Sequence, residues 1–206
     1  MFNYSLLIFL VFPLVQRMLD KLIHSRIVVL AAHILMTTSL ALYIVLRYKM
    51  ELIMQATNVE FLLCVGFIII GFLIYMIDLL IKNILLNDLL ILDIKFYTSF
   101  NDISILRLIL SLIISIGEEF IFRFPISQLE FVKGGLLFML GSISFGIIHF
   151  YFSKYDGLSK IVIGLIFGMI VLITKNIYYS IIVHITYNIA IELFGGVNTR
   201  RNRDDV

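Results

Sequence analysis

Polar residues interrupt this chain so seldom that its apolar runs can be marked off one by one. They fall at 3–16, 27–46, 59–81, 103–123, 135–152, 158–174 and 178–195. A helix needs ~20 apolar residues to cross the hydrocarbon core, and most of these runs approach that length. The first is short and holds Pro13; the third holds Asp78 near its end. No run alternates with a period of two, so a membrane barrel is not expected. The pattern predicts an all-α fold: a polytopic membrane helical bundle with about seven transmembrane helices. The stretch 83–95, NILLNDLLILDIK, is too short and too charged to span and reads as an interfacial helix or connector. The tail GVNTRRNRDDV is polar and is expected to be loose. The chain then divides into N-terminal helices (1–102), a core carrying the polar motifs (103–195) and a tail (196–206), all in one membrane-integral domain.

Composition agrees. Of 206 residues, 61% are hydrophobic and only 15% charged, and the mean hydropathy is +1.07. A soluble domain of this length has no use for so much apolar surface, whereas lipid as a partner does. The net charge is +2, and no basic stripe interleaved with aromatics marks a nucleic-acid partner. Cys64 is the sole cysteine, so no internal disulfide forms, and it reads as a small buried hydrophobe. The N-terminal run lacks a positive leader and a small-residue cleavage site, and reads as a retained membrane segment. With seven spans, eleven Lys and Arg fall on one side and five on the other. That bias puts the N-terminus outside and the C-terminus in the cytoplasm. Abundant Ile, Lys and Asn without Trp point to a low-GC bacterium, and so to its plasma membrane.

Against this background the ionic residues of the later half stand out. A charge at mid-bilayer costs ~2.5–3.5 kcal/mol, so such residues face the bundle interior. The fourth run ends in IGEEFIFRF, with Glu118, Glu119 and Arg123. Glu119 and Arg123 are four apart and share a helix face, so they can pair. Glu118 is turned ~100° away and must find its partner on another helix. Phe145 and His149 are four apart in the fifth run, and His184 and Asn188 four apart in the seventh. Taken singly, each histidine could be hydrogen-bonding glue between helices. Three helices each offering one polar face point instead to a shared intramembrane site.

A carboxylate in a dry pocket is suited to act as a general base. A histidine beside it can share a water, and a His–Asn face can donate to a developing oxyanion. No nucleophile elbow or catalytic cysteine competes. Zinc held by Glu118, His149 and His184 is chemically possible, although no H-E-x-x-H occurs. With the run limits above, Glu118 and His149 stand ~20 Å apart in depth. They can cooperate if the fourth helix runs past Arg123 toward Gln128 and the fifth past Phe152.

EEFIFR (118–123) resembles the E-E-x-x-x-R motif of the CPBP family, the CAAX proteases and bacteriocin-processing enzymes also called Abi. FGIIH (145–149) resembles its F-x-x-x-H motif and HITYN (184–188) its H-x-x-x-N motif. The resemblance covers about residues 103–192 and implies a glutamate-dependent intramembrane endopeptidase. It implies that Glu118 and His149 activate water, that His184 and Asn188 form the oxyanion hole, and that Glu119, Arg123 and Phe145 support the site. No cofactor is required on that reading, with zinc as the alternative. The expected substrate is a membrane-associated peptide, lipopeptide or lipoprotein. One departure is plain: the family carries glycine after the arginine, and this chain has Phe124 and Pro125.

Two other functions use the same residues. Acyl transfer, for example lipoprotein modification, would replace water with an amine or hydroxyl. A bacteriocin self-immunity protein would bind a peptide without cleaving it. Elsewhere, His33 in LAAHILMTT reads as structural, Asp78 as lying near an interface, and Glu192 as a possible outer partner one turn beyond Asn188. Gly164 and Gly168 read as a close-packing pair.

Overall fold

The computed structural model describes residues 2–22, 26–87, 105–150 and 153–194. They form α1 (Phe2–Leu22), α2 (Arg26–Arg47), α3 (Lys49–Thr57), α4 (Phe61–Asn87), α5 (Ile105–Phe122), α6 (Phe124–Ser127), α7 (Phe131–His149), α8 (Lys154–Thr174) and α9 (Ile177–Phe194). Each apolar run has become a helix, and no strand occurs among the described residues. Four helices (α4, α7, α8 and α9) are long and apolar enough to cross a membrane, or five if α2 and α3 count as one bent span. The other two expected spans differ. The apolar part of α1 is confined to Ser5–Met18, and α5 carries Arg107, Glu118 and Glu119. Large side chains face outward: Phe61, Leu62 and Val132 are 84%, 81% and 83% exposed, which only lipid makes tolerable. Most of the 83–95 stretch and the tail lie outside the described residues, although α4 takes in its start as far as Asn87.

The α3 helix lies where no run was seen. The chain bends by 82° after α2, and α3 then ties three turns together. Gln55 Nε2 donates to Ser127 Oγ at 2.9 Å, while Gln55 Oε1 accepts from the Ile177 backbone N–H at 2.9 Å. Asn176 Nδ2 donates to the Gln55 carbonyl at 2.8 Å, and Asn176 Oδ1 caps α9 by accepting from Tyr178 N–H at 2.9 Å. These bonds satisfy the exposed backbone of helix ends, which lipid cannot do.

The end of α5 has a local cause. Pro125 has no N–H to give the Ile121 carbonyl, so the helix breaks at Arg123 and resumes as the single turn α6. The helical path therefore does continue toward Gln128, with a break. α7 does not extend as expected: it ends at His149 and begins four residues early, at Phe131. The added first turn includes Gly134, which is buried, where a Cβ would stand 3.4 Å from the Ile126 carbonyl. As a result the end of α5 lies level with the middle of α7, since a Cβ on Gly141 would be 3.1 Å from the Phe122 carbonyl. From that level Glu118 lies about one turn back along α5 and His149 about two turns further along α7.

Small residues set the spacing of α7 and α8. A Cβ on Gly146 would fall 2.1 Å from the Ile161 side chain, and one on Gly168 2.6 Å from Phe138. Gly164, the other member of the expected pair, faces Phe145 and Ser142. Membrane helices lack a hydrophobic drive to associate, so such close backbone approach carries their packing. An aromatic core of Phe9, Phe12, Phe122, Phe124, Phe138 and Phe145 fills the interior beside them.

Candidate active site

The site is built on two antiparallel helices joined by polar rungs. Asn188 Nδ2 on α9 donates to Ser115 Oγ on α5 at 2.7 Å. One turn along, His184 Nδ1 donates to Glu119 Oε1 at 2.9 Å, and Ser180 Oγ donates to Glu119 Oε2 at 2.5 Å. An ionised carboxylate only accepts, so the His184 proton bound for Glu119 sits on Nδ1. Its Nε2 then faces Glu118 Oε2 at 3.9 Å. The other oxygen of Glu118 lies 3.7 Å from His33 Nε2, which arrives on α2. Neither contact is as short as a direct hydrogen bond.

The adjacent glutamates are thus sorted. Glu119 is fully buried and saturated: His184 on one oxygen, Ser180 and, at 3.9 Å, Arg123 Nε on the other. The pairing expected from the four-residue spacing is present. Arg123 is itself 1% exposed, and its guanidinium lies 4.3 Å over the Phe145 ring, with Phe122 and Phe167 at 5.6 and 5.7 Å. A buried cation is tolerated when a carboxylate and aromatic faces replace water. Gly164 makes the room: a Cβ there would stand 3.2 Å from Nη2.

Phe145 is the hub. Arg123 lies on its face, the His149 ring tilts against it at 4.6 Å, and the His184 ring meets it at right angles at 5.9 Å. His149 Nδ1 donates to the Phe145 carbonyl at 2.8 Å. Glu118, Glu119, Arg123, Phe145, His149 and His184 are therefore linked through Phe145 and the two glutamates, with Asn188 one turn further along α9 against Ser115. Glu192 makes no hydrogen bond or ion pair to this cluster among the described residues.

Several partners were not picked out beforehand. Ser115 and Ser180 lie three before Glu118 and four before His184, so helical spacing could have found them. His33 carries no such signal. A second polar cluster also adjoins α9. Asp78, expected where the third span nears the interface, is 2% exposed among α4, α8 and α9. It accepts hydrogen bonds from Tyr187 Oη at 2.6 Å and from Ser159, and it pairs with Lys82 at 3.0 Å. Lys82 also reaches Asp156 at 2.6 Å, and the Lys160 ammonium bonds the Tyr187 hydroxyl. Tyr187 immediately precedes Asn188, so this cluster pins the helix that presents His184 and Asn188.

The zinc reading can be tested on the donors. Among the described residues no three His, Cys, Asp or Glu side chains are placed to hold a metal ion. The Glu118, His149 and His184 set does not fit one as arranged.

Fold and site together define a polytopic helical membrane protein with a buried carboxylate–histidine centre. Residues 101–190, which include all seven residues singled out in the sequence, match the family of type II CAAX prenyl endopeptidase Rce1-like proteins. Over that segment, somewhat under half of its length, the chain is similar to the CAAX-type intramembrane proteases. No curated protein and no solved structure matches it significantly.

Proposed function

We propose that the protein is a glutamate-dependent intramembrane endopeptidase acting on a membrane-associated or lipidated peptide. The observation that supports it best is the division of labour between the two glutamates. Glu119 is fully engaged, whereas the nearest ionic contacts of Glu118 among the described residues are imidazoles at 3.7 and 3.9 Å. A water seated there gives its proton to Glu118 as its oxygen attacks the scissile carbonyl carbon. His149 Nε2 orients that water. The oxyanion that forms is met by donors from α9, the Asn188 amide and His184 in its doubly protonated form. When the C–N bond breaks, the proton held by Glu118 passes to the leaving nitrogen, and the products are a carboxylate and an amine. No step needs a metal.

The prenyl endopeptidase family makes a prenylated C-terminal peptide the natural probe. Glu118, Glu119 and His184 are 3%, 0% and 3% exposed, so substrate entry requires neighbouring helices to part. The test is cleavage of an internally quenched peptide bearing a prenylated cysteine near its C-terminus, by the full chain in detergent. Wild type should cleave it, and Glu118→Gln should be slower by about 10²–10⁴-fold, the usual worth of a general base. Equal rates would end this reading.

A further inference from the structure

We infer that His33 is a positioning residue for Glu118, supplied by a helix outside the family-matched segment. This inference rests on the glutamate-base reading above. His33 Nε2 is 3.7 Å from Glu118 Oε1, while His184 Nε2 is 3.9 Å from Oε2. The carboxylate is therefore straddled, one imidazole to each oxygen. Glu118 is buried and His33 partly so, with 4% and 14% of their side-chain surface exposed, so little water dilutes the contact.

The approach of α2 that allows this is built in. Gly117, the residue just before Glu118, lies against Thr37, one turn after His33. A Cβ on Gly117 would fall 2.7 Å from Thr37 Cγ2. Glycine at 117 is what lets α2 come near enough for His33 to reach the carboxylate. Behind His33 stands Phe12 of α1, ring to ring at 6.1 Å, which limits where the imidazole can swing. The Thr37 hydroxyl is fully buried in the same seam and has no hydrogen-bond partner among the described residues. An orphaned hydroxyl beside a Glu–His contact marks a place where a small polar guest is welcome.

The physical role follows from the carboxylate's symmetry. Its two oxygens are equivalent and the terminal torsion is soft. An imidazole on Oε1 fixes which oxygen is left toward His184 and the attacking water. Without it the carboxylate samples other rotations, and a misplacement of ~1 Å is enough to cost ~10²-fold in rate. Binding of substrate does not depend on that orientation.

The experiment measures turnover of the quenched prenyl peptide by the full chain in detergent. The proteins are wild type, His33→Ala, His33→Gln and Glu118→Gln. His33→Ala should lose about 10–100-fold in kcat with KM within about twofold. His33→Gln, whose amide N–H can still meet the carboxylate, should recover part of the loss, and added imidazole should partly rescue His33→Ala. Wild-type kcat in His33→Ala beside an inactive Glu118→Gln would overturn the inference alone. So would a loss that neither glutamine nor imidazole relieves, since that is mere packing. Equal turnover by wild type and Glu118→Gln would instead sink the glutamate-base reading. Thermal unfolding of wild type, His33→Ala, Glu118→Gln and the variant carrying both reads the contact without any substrate. Losses in Tm that are less than additive support it; strict additivity overturns it.

Discussion

His184 Nδ1 donates to Glu119 Oε1 at 2.9 Å, across the α5–α9 seam. This one bond keeps a proton on His184 Nδ1, turns its Nε2 toward Glu118 and engages Glu119 Oε1. Glu119→Gln keeps the shape but replaces one acceptor oxygen with a donor and removes the charge facing Arg123. The expected result is a drop of at least tenfold in kcat, together with a lower Tm. A glutamine variant with wild-type kcat would show that Glu119 does not orient His184.

Arg123 tests the same face from the other end. Truncating one partner of a buried ion pair leaves the other uncompensated, at a cost of about 3–5 kcal/mol. Arg123→Met should therefore be destabilised by about that much in thermal unfolding. Arg123→Lys should also fall short of wild type, because a lysine cannot lie flat on Phe145 as the guanidinium does at 4.3 Å. Indistinguishable stability of Arg123→Lys and wild type would mean the aromatic box contributes nothing.

How much of this was legible beforehand depends on whether the signal was local. Glu119 and Arg123 are one turn apart on one helix, so spacing alone paired them. Phe145 with His149 and His184 with Asn188 follow the same rule. That three helices meet was inferred from the one polar face each offers inside an apolar run, and the motif resemblance added the roles; nothing local tells one helix which face of another it will meet. His33 was invisible for that reason: its partner lies 85 residues away by number, and α2 reaches it only because Gly117 lacks a side chain. The start of α7 was placed late because Lys133 and Gly134 break the apolar run, although Gly134 packs toward the Ile126 carbonyl. α3 was missed because its nine residues, KMELIMQAT, mix polar and apolar positions and are held by tertiary bonds from Gln55.

The Asp78 cluster makes a prediction about α9. Tyr187 Oη is held by Asp78 at 2.6 Å and by Lys160. Tyr187→Phe removes the hydroxyl and leaves both partners short of a hydrogen bond, at about 1–3 kcal/mol. Because α9 can then roll, kcat should fall along with Tm, and the Ser115–Asn188 rung should loosen. Stability loss with unchanged kcat would confine the cluster to a purely structural role.

Packing of α7 on α8 offers a test independent of chemistry. Gly146→Leu puts a side chain where even a Cβ would sit 2.1 Å from Ile161. Overpacking of this kind costs about 1–3 kcal/mol or more. The variant should show a clear loss of Tm, and Gly66→Leu, at a position with nothing within 4 Å, should not. Equal effects at the two positions would contradict the arrangement of the helices.

The central claim is that Glu118 performs the chemistry and Glu119 holds the frame. Its most direct test is mass spectrometry of the quenched prenyl peptide after incubation with detergent-solubilised wild type and Glu118→Gln, both shown by thermal unfolding to be folded. The account predicts two fragments whose masses sum to the substrate plus one water with wild type, and intact peptide with Glu118→Gln. The same two fragments at the same rate from folded Glu118→Gln would contradict it.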